Sequence, residues 1–82
     1  MVTVLRANGL RVMISVNDHP PAHVPAFGDG ETKINLTGID GSPELVWPDG
    51  ASRSEVRRAM RLVMEQQAFL LRRWEDIHGR ID

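Results

Sequence analysis

An α+β fold, with an N-terminal antiparallel β-meander of about four strands packed against one long C-terminal helix, is predicted by three observations. Residues 2–37 hold short aliphatic and β-branched runs of period two, punctuated by Asn, Gly and Pro. Near residue 51 the apolar period changes to that of a helix and stays so through Ile77. With 82 residues and no internal repeat, the chain has room for one core only, so 1–82 is read as a single domain, with sheet and loop over 1–50 and helix over 52–79.

The first two strands lie within Val2 to Val16, on either side of Ala7-Asn8-Gly9. Asn-Gly tolerates positive φ at both central positions of a type I′ turn, which makes this a hairpin. In its second arm Leu10, Val12, Ile14 and Val16 share one face, and Arg11, Met13 and Ser15 share the other. Asn17 to Pro21 is a loop, because the Pro-Pro pair removes donors and fixes φ. His23 to Phe27 is a third strand, and Pro25, lacking an N–H, points to an edge position or a bulge. Gly28-Asp29-Gly30 reverses the chain into a fourth strand, Glu31 to Thr37.

Gly38 to Gly50 is rich in Gly and Pro and reads as a loop with room for one short strand, from which Trp47 plugs the core. Ser52 to Glu55 has the S-x-x-E spacing of a capping box, with the serine oxygen accepting from an early helix N–H and the glutamate reaching back to the cap. Gly79 supplies the stop. On one continuous helix Val56, Met60, Val63, Leu70, Trp74 and Ile77 fall on a narrow arc flanked by Ala59 and Leu71. The expected core joins Leu10, Val12, Ile14, Ile34 and Leu36 of the sheet to Val63, Leu70 and Trp74 of the helix.

Composition narrows the functional classes. Zero cysteines exclude a disulfide framework and any thiolate metal site, which points to a reducing, cytoplasmic setting. Met1 to Leu5 runs straight into Arg6 without an export pattern, and no apolar run approaches the roughly 20 residues of a membrane span. Net charge is −1, so there is no general attraction to nucleic acid. The two parts differ in sign all the same, with Arg6, Arg11 and Lys33 outnumbered by acids before residue 51 and arginines in excess after it. Any polyanion would meet the helix.

Thr3-Val4-Leu5-Arg6, then Asn17-Asp18-His19-Pro20-Pro21-Ala22-His23-Val24, then Phe27-Gly28-Asp29-Gly30-Glu31-Thr32-Lys33-Ile34 and a last helix with Trp74 together resemble the bacterial domain-of-unknown-function family 4160. The likeness spans nearly the whole chain. Its most distinctive part is the double proline before a histidine and valine, followed by a glycine-rich turn and a lysine. Here Ala22 intervenes after the prolines, and Pro25 stands where a second histidine is usual. The resemblance implies a small stand-alone bacterial protein, often encoded beside another small protein in a toxin-antitoxin-like arrangement, with no settled activity.

Four sets of residues are candidates for chemistry. His19 and His23 flank a loop stiffened by two prolines and could converge on a ligand, a metal or, with Lys33, a scissile phosphate. A zinc site would still lack recognisably spaced partners, and the plain alternative is a capped turn with His19 solvated. Gly28-Asp29-Gly30-Glu31 joins two strands instead of opening a helix, so it is a turn and no phosphate cradle. Arg57, Arg61 and Arg72 project within about 60° of one another on a continuous helix, as a polyanion-binding face or as a solvated face laced by pairs such as Glu65 with Arg61 and Arg58 with Glu55. Leu62 and Phe69 sit off the main arc and would leave an apolar strip for a partner unless the sheet curls over them.

No cysteine, tyrosine or carboxylate pair stands ready for catalysis, so an enzyme is the weaker class, and no cofactor is expected. The leading expectation is an interaction module that forms a homo-oligomer or binds a small co-encoded protein through Leu62 and Phe69. The alternative is a toxin-like nucleic-acid-binding protein or ribonuclease that uses the arginine face and the histidine loop.

Overall fold

The computed structural model describes residues 1–79. Five strands, β1 (Val2–Ala7), β2 (Leu10–Ile14), β3 (His23–Phe27), β4 (Glu31–Asn35) and β5 (Glu44–Asp49), form one antiparallel sheet in sequence order. Two helices follow, α1 (Arg53–Glu65) and α2 (Gln67–His78). The α+β class and the meander are as the sequence predicts, with one strand and one helix more.

Asn8 and Gly9 both take positive φ, as a type I′ turn between β1 and β2 requires. β2 ends at Ile14, before Val16, because the chain turns there and Asp18 N–H donates to the Ser15 carbonyl; Val16 is exposed. Pro25 sits in the central strand, where the sequence suggests an edge or a bulge. The registered β2–β3 pairs, Arg11 with Phe27 and Val12 with Ala26, stop short of Pro25, while β3 pairs with β4 over its whole length. The missing N–H thus falls where one ladder has already ended.

The segment read as a loop around Trp47 is the fifth strand. Its reversal is made earlier, where Gly38 N–H donates to the Ser42 carbonyl and the Ser42 hydroxyl and N–H both reach Asp40. Those two hydrogen bonds, the hydroxyl's first, hold the Asp40 carboxyl below its usual range. From Glu44 onward the chain is free to pair with β4. Trp47 lies opposite Lys33 on the face turned away from Ile34, so it is an edge residue, and Trp74 fills the core in its place. A shift in register makes Val46 an extra residue in β5, as Val4 is in β1, so both edge strands are bulged.

The predicted single helix is two. α1 ends at Glu65, Gln66 leaves helical geometry, and α2 begins at Gln67, whose side-chain amide donates to the carbonyls of Leu36 and Gly41. Gln67 pins the start of α2 to the β4–β5 loop, and each helix then presents its own face. α1 buries Glu55, Ala59, Leu62 and Val63, and α2 buries Leu70 and Trp74. All eight residues expected in the core are buried, together with Val24, Ala26, Ala59 and Leu62.

Only half of the capping box forms. Ser52 Oγ accepts from Glu55 N–H at 3.2 Å, but the Glu55 carboxylate turns away from the cap. It accepts instead from Asp29 N–H at 2.8 Å and Gly30 N–H at 3.1 Å, and the residue is 1% exposed. Gly30 can have no side chain here, because a Cβ would stand 2.2 Å from the Gly50 carbonyl carbon. The β3–β4 turn, the end of β5 and the first turn of α1 are therefore locked together.

Two stability predictions follow from these contacts. Glu55→Ala leaves two N–H donors of the turn without their partner and should cost about 2–3 kcal/mol in denaturant unfolding. Thr32 is fully buried, and among the described residues its hydroxyl has no hydrogen-bond partner. Thr32→Val keeps the shape, removes that unpaired group and should raise stability by about 1 kcal/mol at unchanged denaturant m-value.

Candidate functional site

Alternation along the strands sorts the side chains. Val24, Ala26, Ile34 and Leu36 join the core with residues of both helices, which puts His23, Pro25, Phe27, Glu31, Lys33 and Asn35 on the opposite face. Two adjoining concavities lie there. One, of about 140 Å³, is lined by Met1, Asp18, His23, Pro25, Glu31, Lys33 and Trp47. The other, of about 380 Å³, brings Asp18, His23 and Lys33 together with His19, Asn35 and Val46. Residues from β3, β4 and the edge strand β5, from the β2–β3 loop and Met1 meet in this trough.

The loop that carries the histidines is anchored at both ends. Asp18 Oδ2 accepts from Ser15 N–H at 3.4 Å, the Pro20–Pro21 bond is cis, and Leu36 N–H donates to the Ala22 carbonyl. His23 has Nδ1 2.8 Å from the Pro21 carbonyl and Nε2 3.4 Å from Asp18 Oδ2. Its ring also lies 5.3 Å from that of Trp74. Nδ1 thus hydrogen-bonds its own loop, and Nε2 faces the Asp18 carboxylate of the same loop. His23 organises the loop in this geometry, while His19 is exposed on the rim.

Lys33 is the cation of the site. Its Nζ stands 5.9 Å from the Trp47 ring centroid, within the range of a cation–π contact, and among the described residues it forms no ion pair. Asp18 and Glu31 line the same concavity, so an incoming anion meets carboxylates beside the Lys33 ammonium. Asn35 leans toward Glu44, with 3.4 Å from its amide nitrogen to Oε1. The concavity thus combines apolar and aromatic side chains with charges of both signs.

The structure brings His19, His23 and Lys33 together and leaves the other candidates apart. Arg57, Arg61 and Arg72 are exposed on the helices, behind the sheet from the trough, and the break at Gln66 separates Arg72 from the other two. Arg58 donates to the Asn8 carbonyl at 2.8 Å, and Arg73 with Asp76 makes the helix ion pair; the expected Arg58–Glu55 pair is replaced by the Glu55 contacts with the turn. Leu62 is 4% exposed, in the core, and cannot offer itself to a partner; projecting one continuous helix put it on the wrong flank. Phe69 is exposed. Among the described residues no group of three His, Asp or Glu side chains could hold a metal ion. The Gly28-Asp29-Gly30 turn does hold an anion with its N–H groups, but that anion is the protein's own Glu55.

His78 stacks on Trp74 at 3.8 Å and meets the carbonyls of Ser15 and Trp74 with its two nitrogens. It ties the end of α2 to the histidine loop. Trp47 is the site residue missed by sequence reasoning, since only the pairing of β5 with β4 places it opposite Lys33.

The two tryptophans give a direct check on the site. Acrylamide should quench Trp47 and spare Trp74, which is 3% exposed. Trp47→Phe should then leave only blue-shifted emission that resists quenching.

A protein-family model described as "Domain of unknown function (DUF4160)" matches residues 9–75. No curated protein and no solved structure matches the chain.

Proposed function

We propose that this chain, which belongs to the DUF4160 family, is a protein–protein interaction module that takes an extended segment of a partner along β5. One observation carries the reading: Leu45, Val46 and Trp47 are 40, 41 and 39% exposed, consecutively, on an edge strand with no strand beyond it among the described residues. Such an edge offers unpaired N–H and C=O groups beside apolar side chains, the two elements of strand addition. Pro48 blunts the far end by removing one donor.

Charge restricts the occupant. Glu44 and Asp49 bound the strand. A second β5 added about a two-fold axis through its middle would set Glu44 against Asp49, so the edge favours a different protein with basic residues flanking an apolar stretch. A small co-encoded partner in a toxin-antitoxin-like pair, within the cytoplasm, is the setting in which this module would work.

A second reading, a nucleic-acid-binding protein or ribonuclease, draws support from His19, His23 and Lys33 around one concavity. The engaged nitrogens of His23, the neighbouring carboxylates and the distance of the arginine face from the trough weigh against it.

Titration with the purified product of the adjacent gene tests the leading reading. Binding should occur at micromolar concentration or tighter, and Val46→Lys should weaken it at least tenfold while leaving the circular dichroism spectrum unchanged. Absence of binding, together with RNA cleavage that Lys33→Ala abolishes, would transfer the assignment to the second reading.

A further inference from the structure

One row of side chains crosses the open face of the sheet from edge to edge. The register pairs Arg6 with Arg11, Arg11 with Phe27, Phe27 with Glu31, and Glu31 with Asp49. Read across β1 to β5, the row runs cation, cation, aromatic, anion, anion. Two of its neighbour pairs are like-charged, Arg6 against Arg11 and Glu31 against Asp49, a placement that destabilises an isolated sheet. Among the described residues none of the four charges is in an ion pair. The chain thus holds two unfavourable pairs of opposite sign, one on each side of Phe27, and leaves both uncompensated.

A row of this kind is its own complement. We infer that the open face binds a second copy of the chain, face to face, about a two-fold axis running along the central strand β3. Rotation about that axis lays β1 of one copy over β5 of the other and keeps each position along the strands. Arg6 then meets Asp49 of the second copy, Arg11 meets Glu31, and Phe27 meets Phe27. The neighbouring row follows the same operation, which sets Thr3 against Trp47 and Met13 against Lys33, so the methionine covers the lysine stem.

Strand spacing and rise give this face about 24 by 17 Å, or about 400 Å² per copy. Stable complexes usually bury about twice that per partner, so the dimer should be weak, of micromolar dissociation constant, and sensitive to salt. The inference rests on the reading of the chain as an interaction module but uses the sheet face, where that reading uses the β5 edge, so the two can fail separately.

Sedimentation equilibrium over a concentration series tests it on the full chain. The wild type should dimerise at low salt and lose affinity at least tenfold by 0.5 M NaCl. Arg11→Glu should be monomeric, and the double change Arg11→Glu with Glu31→Arg should dimerise again, since it again sets opposite charges at positions 11 and 31 across the two-fold axis, whereas the pairs that both changes form with Arg6 and Asp49 lie within one copy and need no second. Leu45→Lys, on the β5 edge opposite Ile34 and outside the trough, should dimerise as the wild type does. Circular dichroism confirms that each variant is folded. A wild type monomeric at millimolar concentration would overturn the inference, as would Arg11→Glu remaining dimeric. A dimer lost on Leu45→Lys but kept on Arg11→Glu would move self-association to the β5 edge, sinking the face-to-face arrangement and leaving the interaction reading in place. A monomer that also ignores the adjacent gene product would remove both.

Discussion

The carboxylate of Glu55, accepted into the β3–β4 turn by two backbone N–H groups, is the contact on which the arrangement of sheet and helix depends. Glu55 sits in the first turn of α1, where the helix dipole already favours negative charge, and the turn supplies the donors that burial of a carboxylate demands. The same junction requires Gly30 against Gly50 and Gly28 against Glu55 itself, where side chains would collide. The helix therefore starts from a defined point at one end of the hairpin. Gln67 on the loop carbonyls and His78 on Ser15 repeat the device further along. Three polar contacts set the direction of a helical segment whose apolar face alone would allow it to slide.

Anchoring of that kind explains which parts of the fold were legible in the sequence. Patterns local to one element were readable: the Asn-Gly turn, the alternation of Leu10, Val12 and Ile14, the serine cap, and the core residues from Leu10 to Trp74. What depended on a partner distant in sequence was not. The S-x-x-E spacing signals a helix start but cannot say that the glutamate has a better donor pair in a turn 25 residues earlier. The break at Gln66 is set by carbonyls of the β4–β5 loop, and nothing in the helical periodicity marks it. That break shifted the phase of α1 relative to α2, and Leu62 moved from a presumed exposed flank into the core.

The candidate site shows the same division. His19, His23 and Lys33 were recognisable as polar groups near a stiff loop, and they do meet around one concavity. Trp47 was assigned to the core, because a lone tryptophan among glycines and prolines looks like a plug, until its pairing with Lys33 set it on the outer face. His23 is taken up by its own loop, through Pro21 and Asp18, so the residue types were foreseeable and their occupation was not.

The extra residues at Val4 and Val46 bear on a hazard common to small open sheets. A meander ending in two free strands could in principle polymerise, each molecule adding its first strand to the last strand of the next without limit. Growth of that kind needs long, flat, in-register borders. Here each border is broken near its middle by a kink, and one also carries a proline that cannot donate. The two irregularities act as chain terminators built into the backbone, steering the molecule away from fibrous growth and toward assemblies of finite size.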